Sequence, residues 1–169
     1  MSALIRVVLS RMTLQIEPGQ RGELSITIQN LSEIVDQYIV EVQGLDDAWL
    51  TLLPPRISLF PQDEGHVRIK LHPPEGTRAG TYEFAVKVAS RENPVEFSTE
   101  RGTLTIAPIF LFDVSLAPHR KTTMGEEVGF SVGLSNPGNA DITLQLSAAD
   151  PDDACTYAFD TDQVTLEAG

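Results

Sequence analysis

The chain has one cysteine, Cys155, so no disulfide can close within it. Aromatic residues make up 7% of the sequence, with Trp49 the only tryptophan, and most stand at alternating apolar positions, which leaves no platform for stacking sugar rings. Positive charge is scarce. Lysine and arginine number 12 against 24 aspartates and glutamates, a formal net charge of −12. Such a surface repels phosphate backbones and anionic lipid, which argues against nucleic acid and membranes as partners. The same charge also serves plain solubility. No window approaches 18 apolar residues, so no segment reads as a membrane-spanning helix. The N-terminal stretch MSALIRVVLSRMTLQIEPG alternates like a strand and lacks the apolar core and small-residue cleavage site of a signal peptide. With a lone cysteine, this makes a cytoplasmic location the expectation. The i, i+3, i+4 spacing of an amphipathic helix is also missing, so no helix longer than a turn or two is expected.

Period-two alternation is present instead. Leu24, Ile26 and Ile28 alternate with Ser25, Thr27 and Gln29, and Tyr38, Val40 and Val42 with Ile39, Glu41 and Gln43. Val67, Ile69 and Leu71 follow, then Tyr82, Phe84, Val86 and Val88. Each run is bounded by Gly, Pro, Asn or Asp, the strand-and-turn rhythm of an all-β sandwich. Strands are expected near 4–9, 12–16, 22–29, 36–43, 56–60, 66–72, 80–89 and 95–107. Leu45 to Pro55 reads as a connection whose Trp49 plugs one end of the core, the alternative being an exposed binding aromatic.

The sequence also repeats. A shift of 106 residues places Gly19 on Gly125, Leu24 on Phe130, Ile26 on Val132, Ile28 on Leu134 and Asn30 on Asn136. With the shift increased by one, Ile57 to Pro61 falls on Val164 to Ala168. A period of this size fits whole domains in tandem. The expected organisation is a complete sandwich over 1–108 and the first part of a second over 109–169, without counterparts of 66–72, 80–89 and 95–107. Charge divides unevenly between them. Residues 1–108 hold 10 Lys+Arg against 14 Asp+Glu, and residues 109–169 hold 2 against 10. The junction Ile106-Ala107-Pro108-Ile109 has no Gly/Ser spacer, which suggests a restrained angle. The cluster Ile109, Phe110, Leu111 and Phe112 is either an interdomain contact, with Ile109, Phe110 and Phe112 as its candidates, or the buried face of a strand running from Phe110 to Leu116.

Several segments together carry a resemblance. They are Ile16-Glu17-Pro18-Gly19, the stretch Asn30 to Tyr38, Gly44-Leu45 with Trp49, Ser58 to Pro61 with Glu64-Gly65, and Pro73-Pro74 with Arg78 to Tyr82. The chain resembles the bacterial immunoglobulin-like repeats of long multidomain proteins. In style it is similar to glycosidase-associated, cell-adhesion-related and major-sperm-protein-like modules. The resemblance implies two tandem immunoglobulin-like β-sandwiches, the second incomplete at its C-terminus, used as a spacer or protein-binding arm.

Candidates for chemistry are few. His66, His72 and His119 lack zinc spacing, and no CxxC occurs. Asp150, Asp152, Asp153, Asp160 and Asp162 form the best calcium candidate, hard oxygen ligands on a loop at a sandwich end. The segment lacks the glycine and closing glutamate of an EF-hand, and a solvated acidic loop is the alternative. No G-x-S-x-G elbow occurs. Cys155, ahead of Tyr157 and Phe159 on an expected strand, reads as a small buried thiol. Glu126 and Glu127 point to opposite faces of a strand. No cofactor and no enzymatic activity are expected. The function expected is a structural or protein-interaction module acting through loops or an open sheet edge. Its partner would be another copy or another protein, possibly by strand completion of the second domain, whose open edge would otherwise be completed by residues beyond 169 or be prone to aggregation. A part of a phage-tail-like or filamentous assembly, or an accessory domain of a larger enzyme, is the alternative.

Overall fold

The alternation of Leu24, Ile26 and Ile28 becomes alternation of burial along one strand, Gly22–Asn30, in the computed structural model of the chain. The structure describes residues 4–125, 127–152 and 154–169. It divides into two units, Met1–Ala107 and Pro108–Gly169.

The first unit holds β1 (Ile5–Leu9), β2 (Thr13–Ile16), β3 (Gly22–Asn30), β4 (Asp36–Gln43), β5 (Leu50–Leu53), β6 (Arg56–Leu59), β7 (Glu64–Leu71), β8 (Gly80–Ser90) and β9 (Phe97–Ile106). They form a four-stranded sheet, β1-β3-β7-β5, and a five-stranded sheet, β2-β9-β8-β4-β6. Neighbours run antiparallel except β2, which lies parallel to β9. This is an all-β, immunoglobulin-like sandwich.

Its core follows from the period of two. Ile26, Ile28, Val67 and Ile69 from one sheet and Tyr38, Val86, Val88 and Leu104 from the other belong to one buried apolar cluster. Burying a branched aliphatic side chain stabilises by about 1.5–3 kcal/mol, so this cluster is the main source of the unit's stability. One glycine is required by packing. Gly102 stands opposite Phe84 in the β8–β9 ladder, and a Cβ there would overlap the Phe84 ring.

The expected connection from Leu45 to Pro55 is more ordered than its composition suggests. It contains a single 3-10 turn, Asp47–Trp49, capped by the Asp46 carboxylate, and then β5, which pairs with β7. Two adjacent leucines hide the alternation there, since Leu50 and Leu52 are half-buried while Thr51 and Leu53 face out. Trp49 packs half-buried against the core, edge-on to Tyr82 with ring centroids 5.5 Å apart.

The second unit holds β10 (Asp113–Ala117), β11 (Ser131–Ser135), β12 (Ile142–Gln145) and β13 (Gln163–Leu166). They pair as two antiparallel two-stranded sheets, β10-β11 and β12-β13. The strand expected from Phe110 begins only at Asp113. Cys155, Tyr157 and Phe159, expected on a strand, belong to none, and Cys155 is exposed. The cause is local. The Asp150 carboxylate accepts hydrogen bonds from the backbone N–H groups of Asp152, Ala154 and Cys155, at 3.1, 2.8 and 3.0 Å. Those donors are thereby withdrawn from any ladder. Glu127 is likewise in no strand, and Glu126 lies outside the described residues. No helix among the described residues is long and apolar enough to cross a membrane.

Tyr38 is fully buried, and its hydroxyl has no hydrogen-bond partner among the described residues. Burial first, and the nearby Asp36 charge second, push its phenol up to about 12. An ordinary phenol titrates near 10. Between those values the folded chain holds a proton that the unfolded chain has lost. The stabilisation is therefore complete below about pH 10 and is lost as pH rises toward 12. Tyr38→Phe should flatten this alkaline loss. At neutral pH it should be neutral or more stable by about 1 kcal/mol, because an unsatisfied buried hydroxyl is gone. Urea unfolding of both proteins at neutral and alkaline pH checks this, and equal alkaline slopes would contradict it.

Candidate functional site

Both units are built around an asparagine at the end of a strand. Asn30 is fully buried, and its Nδ2 donates to the carbonyls of Ile34 at 2.8 Å and Leu59 at 3.1 Å. Its Oδ1 accepts from the Ser32 N–H at 2.9 Å. In the second unit Asn136 Nδ2 donates to the carbonyls of Ala140 at 2.9 Å and Leu166 at 3.2 Å, and Oδ1 accepts from the Gly138 N–H at 3.0 Å. Partner for partner, the two sets of bonds are related by the sequence shifts of 106 and 107 residues. Asparagine is suited to this position because one side chain supplies two donors and an acceptor in one plane.

Strand registers follow the same shifts. Val7 faces Ile28 and Leu9 faces Ile26 in β1–β3, while Val114 faces Leu134 and Leu116 faces Val132 in β10–β11. Asp36 faces Leu59 and Ile39 faces Arg56 in β4–β6, while Ile142 faces Leu166 and Gln145 faces Gln163 in β12–β13.

The difference lies in what covers these strands. In the first unit β3 is flanked by β1 and β7, and β4 by β6 and β8. Among the described residues, β11 pairs only with β10, and β12 only with β13. The apolar positions respond accordingly. Val7, Leu9, Leu24 and Ile26 are 5%, 8%, 2% and 0% exposed, whereas Val114, Leu116, Phe130 and Val132 are 58%, 43%, 43% and 38% exposed. Among the described residues of the second unit, no hydrophobic side chain is buried, while Asn136 and Asn139 are. A shallow pocket lies over this hairpin, lined by Asp113, Val114, Ser115, Gly133, Leu134 and Ser135. This uncovered hairpin is the candidate site. The sequence carries its signal in the alternation of Phe130, Val132 and Leu134, but the exposure is visible only once the neighbouring strands are placed.

The other candidates are dispersed. Ile109 is tied to Asn139, donating its N–H to Oδ1 at 2.6 Å and accepting from the Asn139 N–H at 3.2 Å. The side chains of Phe110 and Phe112 are exposed. In the acidic segment, three backbone hydrogen bonds hold the Asp150 carboxyl below its ordinary range. Asp152, Asp160 and Asp162 are exposed, Asp153 lies outside the described residues, and no group of three or more metal-ligating side chains is found among the described ones. His66 Nδ1 meets Thr27 Oγ1 at 3.1 Å, His72 Nε2 meets the Gly19 carbonyl at 3.1 Å, and His119 is exposed. Asp36, a buried carboxylate, accepts from Ser90 Oγ at 2.5 Å and so closes the β4–β8 corner.

Asn30→Ala should destabilise the first unit by about 2–4 kcal/mol, because it strands buried backbone groups. Asn30→Asp should cost at least as much, since a carboxylate cannot donate to the two carbonyls. Urea unfolding reads both, with the outward Gln29→Ala as control, and equal midpoints for Asn30→Asp and the control would remove the role given to the corner. With Asp150 already engaged by its own backbone, millimolar calcium should leave the melting temperature unchanged. A ligand-dependent rise would show a bound ion, since a native-state ligand must stabilise.

No protein-family model and no curated protein matches the chain. Among solved structures it is similar to a family 123 glycoside hydrolase from Clostridium perfringens, with a TM-score of 0.52 at 8% identity over 62% of this chain. The chain spans 27% of the length of that hydrolase. It is also similar to WR4, a C. elegans MSP family member, with a TM-score of 0.42 at 14% identity, over 63% of this chain and 100% of that one. The Class 5 fimbriae chaperone CfaA gives a TM-score of 0.39 at 9% identity, over 96% of this chain and 83% of that one. At 8% identity the likeness to the hydrolase is one of fold alone.

Proposed function

We propose that this chain is a non-enzymatic protein-interaction module, with the first unit as a rigid spacer and the second as its docking part. One observation carries the reading. Apolar positions buried in the first unit are exposed at the matching places of the second, beside edges of β11 and β12 that are unpaired among the described residues. Contiguous exposed apolar surface marks interaction sites, and an unpaired strand edge offers backbone donors and acceptors to another strand. The surplus of acidic residues in the second unit favours a partner of opposite charge and speeds its approach. The first unit supports a spacer role. Its sheets are held by a contiguous core, and its buried carboxylate is occupied in closing a corner.

A photo-crosslinking side chain introduced in producing cells at Phe130 or Leu116 should join this protein to another polypeptide. The same group at Glu41, on the outward face of β4, should not. Equal crosslinking at all three positions, or none at any, would overturn the reading.

A further inference from the structure

The outward face of the four-stranded sheet runs against the acidic balance of the chain. Val67, Ile69 and Leu71 are buried in the core, so His66, Arg68 and Lys70 stand outward at successive exposed positions of β7. Most of their cross-strand neighbours are uncharged. On β3, Thr27 lies opposite His66 and Ser25 opposite Arg68. On β5, Leu53 lies opposite Arg68 and Thr51 opposite Lys70. Carboxylates stand at the two ends of the stripe, with Glu23 opposite Lys70 and Glu64 at the start of β7. Arg6 on β1 adds a further cation to the same face.

These cations do no evident work in the fold. Arg91 is bonded to Gln37 at 2.9 Å, and Lys87 lies 5.0 Å from the Phe97 ring centroid. The side chains of Arg68 and Lys70, by contrast, make no ion pair or hydrogen bond among the described residues. His66 is held beside them through Nδ1, 3.1 Å from Thr27 Oγ1. Lysine and arginine often blunt exposed strand edges. Arg68 and Lys70 guard no edge, because their strand is paired there on both sides, by β3 and by β5. Like charges at alternate positions of one strand also repel each other, so the stripe opposes folding slightly.

From this geometry we infer that the outward face of β7 binds an extended acidic segment of another protein, with carboxylates at alternate positions facing His66, Arg68 and Lys70. Same-face positions of an extended chain recur about every 6.5 Å, which is also the spacing of the stripe. A segment laid along β7 therefore brings successive carboxylates to successive cations. Ser25, Thr27 and Thr51 supply hydroxyl donors beside them, and Val8 and Leu53, 48% and 38% exposed, offer apolar contact to the aliphatic stems. Charges farther than about 8 Å are largely screened at physiological salt, so a short segment feels the stripe more than the net charge of the chain. A second copy would bring the repulsion of a whole chain of charge −12. Single-stranded nucleic acid carries regular charge too, but the outward residues of β1, β3, β5 and β7 include no aromatic ring on which a base could stack. This face belongs to the first unit and does not rest on the docking reading above.

The probe is a fluorescently labelled peptide of alternating glutamate and threonine, as long as the 8 residues of β7, titrated into the whole chain. Saturable binding is expected, weakening as salt rises. Arg68→Gln and Lys70→Gln together should weaken it by about tenfold or more, a change worth about 1.4 kcal/mol per tenfold. Arg101→Gln, on the outward face of the five-stranded sheet, should leave it unchanged. All three side chains are exposed, and matching urea midpoints would show that the variants fold. A peptide of the same composition with its glutamates in one block should bind several-fold more weakly, because the alternate spacing is lost. Amide NMR shifts should move along His66–Lys70 and Thr51–Leu53 as the alternating peptide is added. Equal binding by the block peptide, or an equal loss with Arg101→Gln, would reduce the effect to diffuse charge attraction and overturn the inference. The absence of saturable binding would overturn it as well. Tighter binding of a thymidine oligonucleotide would overturn it in favour of nucleic acid. Self-association that disappears with Arg68→Gln and Lys70→Gln would overturn it in favour of a second copy.

Discussion

Each unit contains two separate sheets, and in each a single carboxamide spans the gap between them. Asn30 closes β3, which belongs to the four-stranded sheet, yet it donates to the end of β6 in the five-stranded sheet. Asn136 does the same between the sheets of β11 and β13. Hydrogen bonds within a sheet fix register along strands, but they say nothing about how one sheet sits over another. A buried amide with its partners in both sheets supplies that reference, because any slip would strand two carbonyls and an N–H away from water. The rest of the first unit, from the Tyr38 layer to the turn that starts β7, is arranged around this corner.

Much of the first unit was legible in the sequence because burial on one face imposes a period of two. Leu24, Ile26, Ile28, Tyr38, Val67 and Val86 could be placed on inward faces before any coordinates. β5 escaped because Leu52 and Leu53 are adjacent and both apolar, so the half-buried edge strand shows no alternation. Residues 155–159 were misread in the opposite sense. Their apolar alternation suggests a strand, but no strand pairs with them among the described residues, and the upstream Asp150 takes the Cys155 N–H. A side chain reaching several residues ahead leaves no periodic trace. The candidate site was half legible. The matching residues could be aligned, yet whether they are covered depends on long-range pairing that the alternation does not encode.

The two units thus place the same local design in different surroundings. Matching corners and registers stand beside a covered core in one and an open hairpin in the other. The composition follows the same division, with the acidic surplus concentrated where apolar side chains are exposed. Net charge of one sign beside exposed hydrophobic residues opposes self-association while leaving the surface open to an unlike partner.

The lack of buried hydrophobic side chains among the described residues of the second unit bears on how long it survives. A polar corner and two short hairpins contribute little free energy against the conformational entropy of their residues. Any covering strand then acts through mass action. Each tenfold rise of free partner above its dissociation constant adds about 1.4 kcal/mol to the folded form. Resistance to proteolysis would track how fully the apolar face of β10 and β11 is covered.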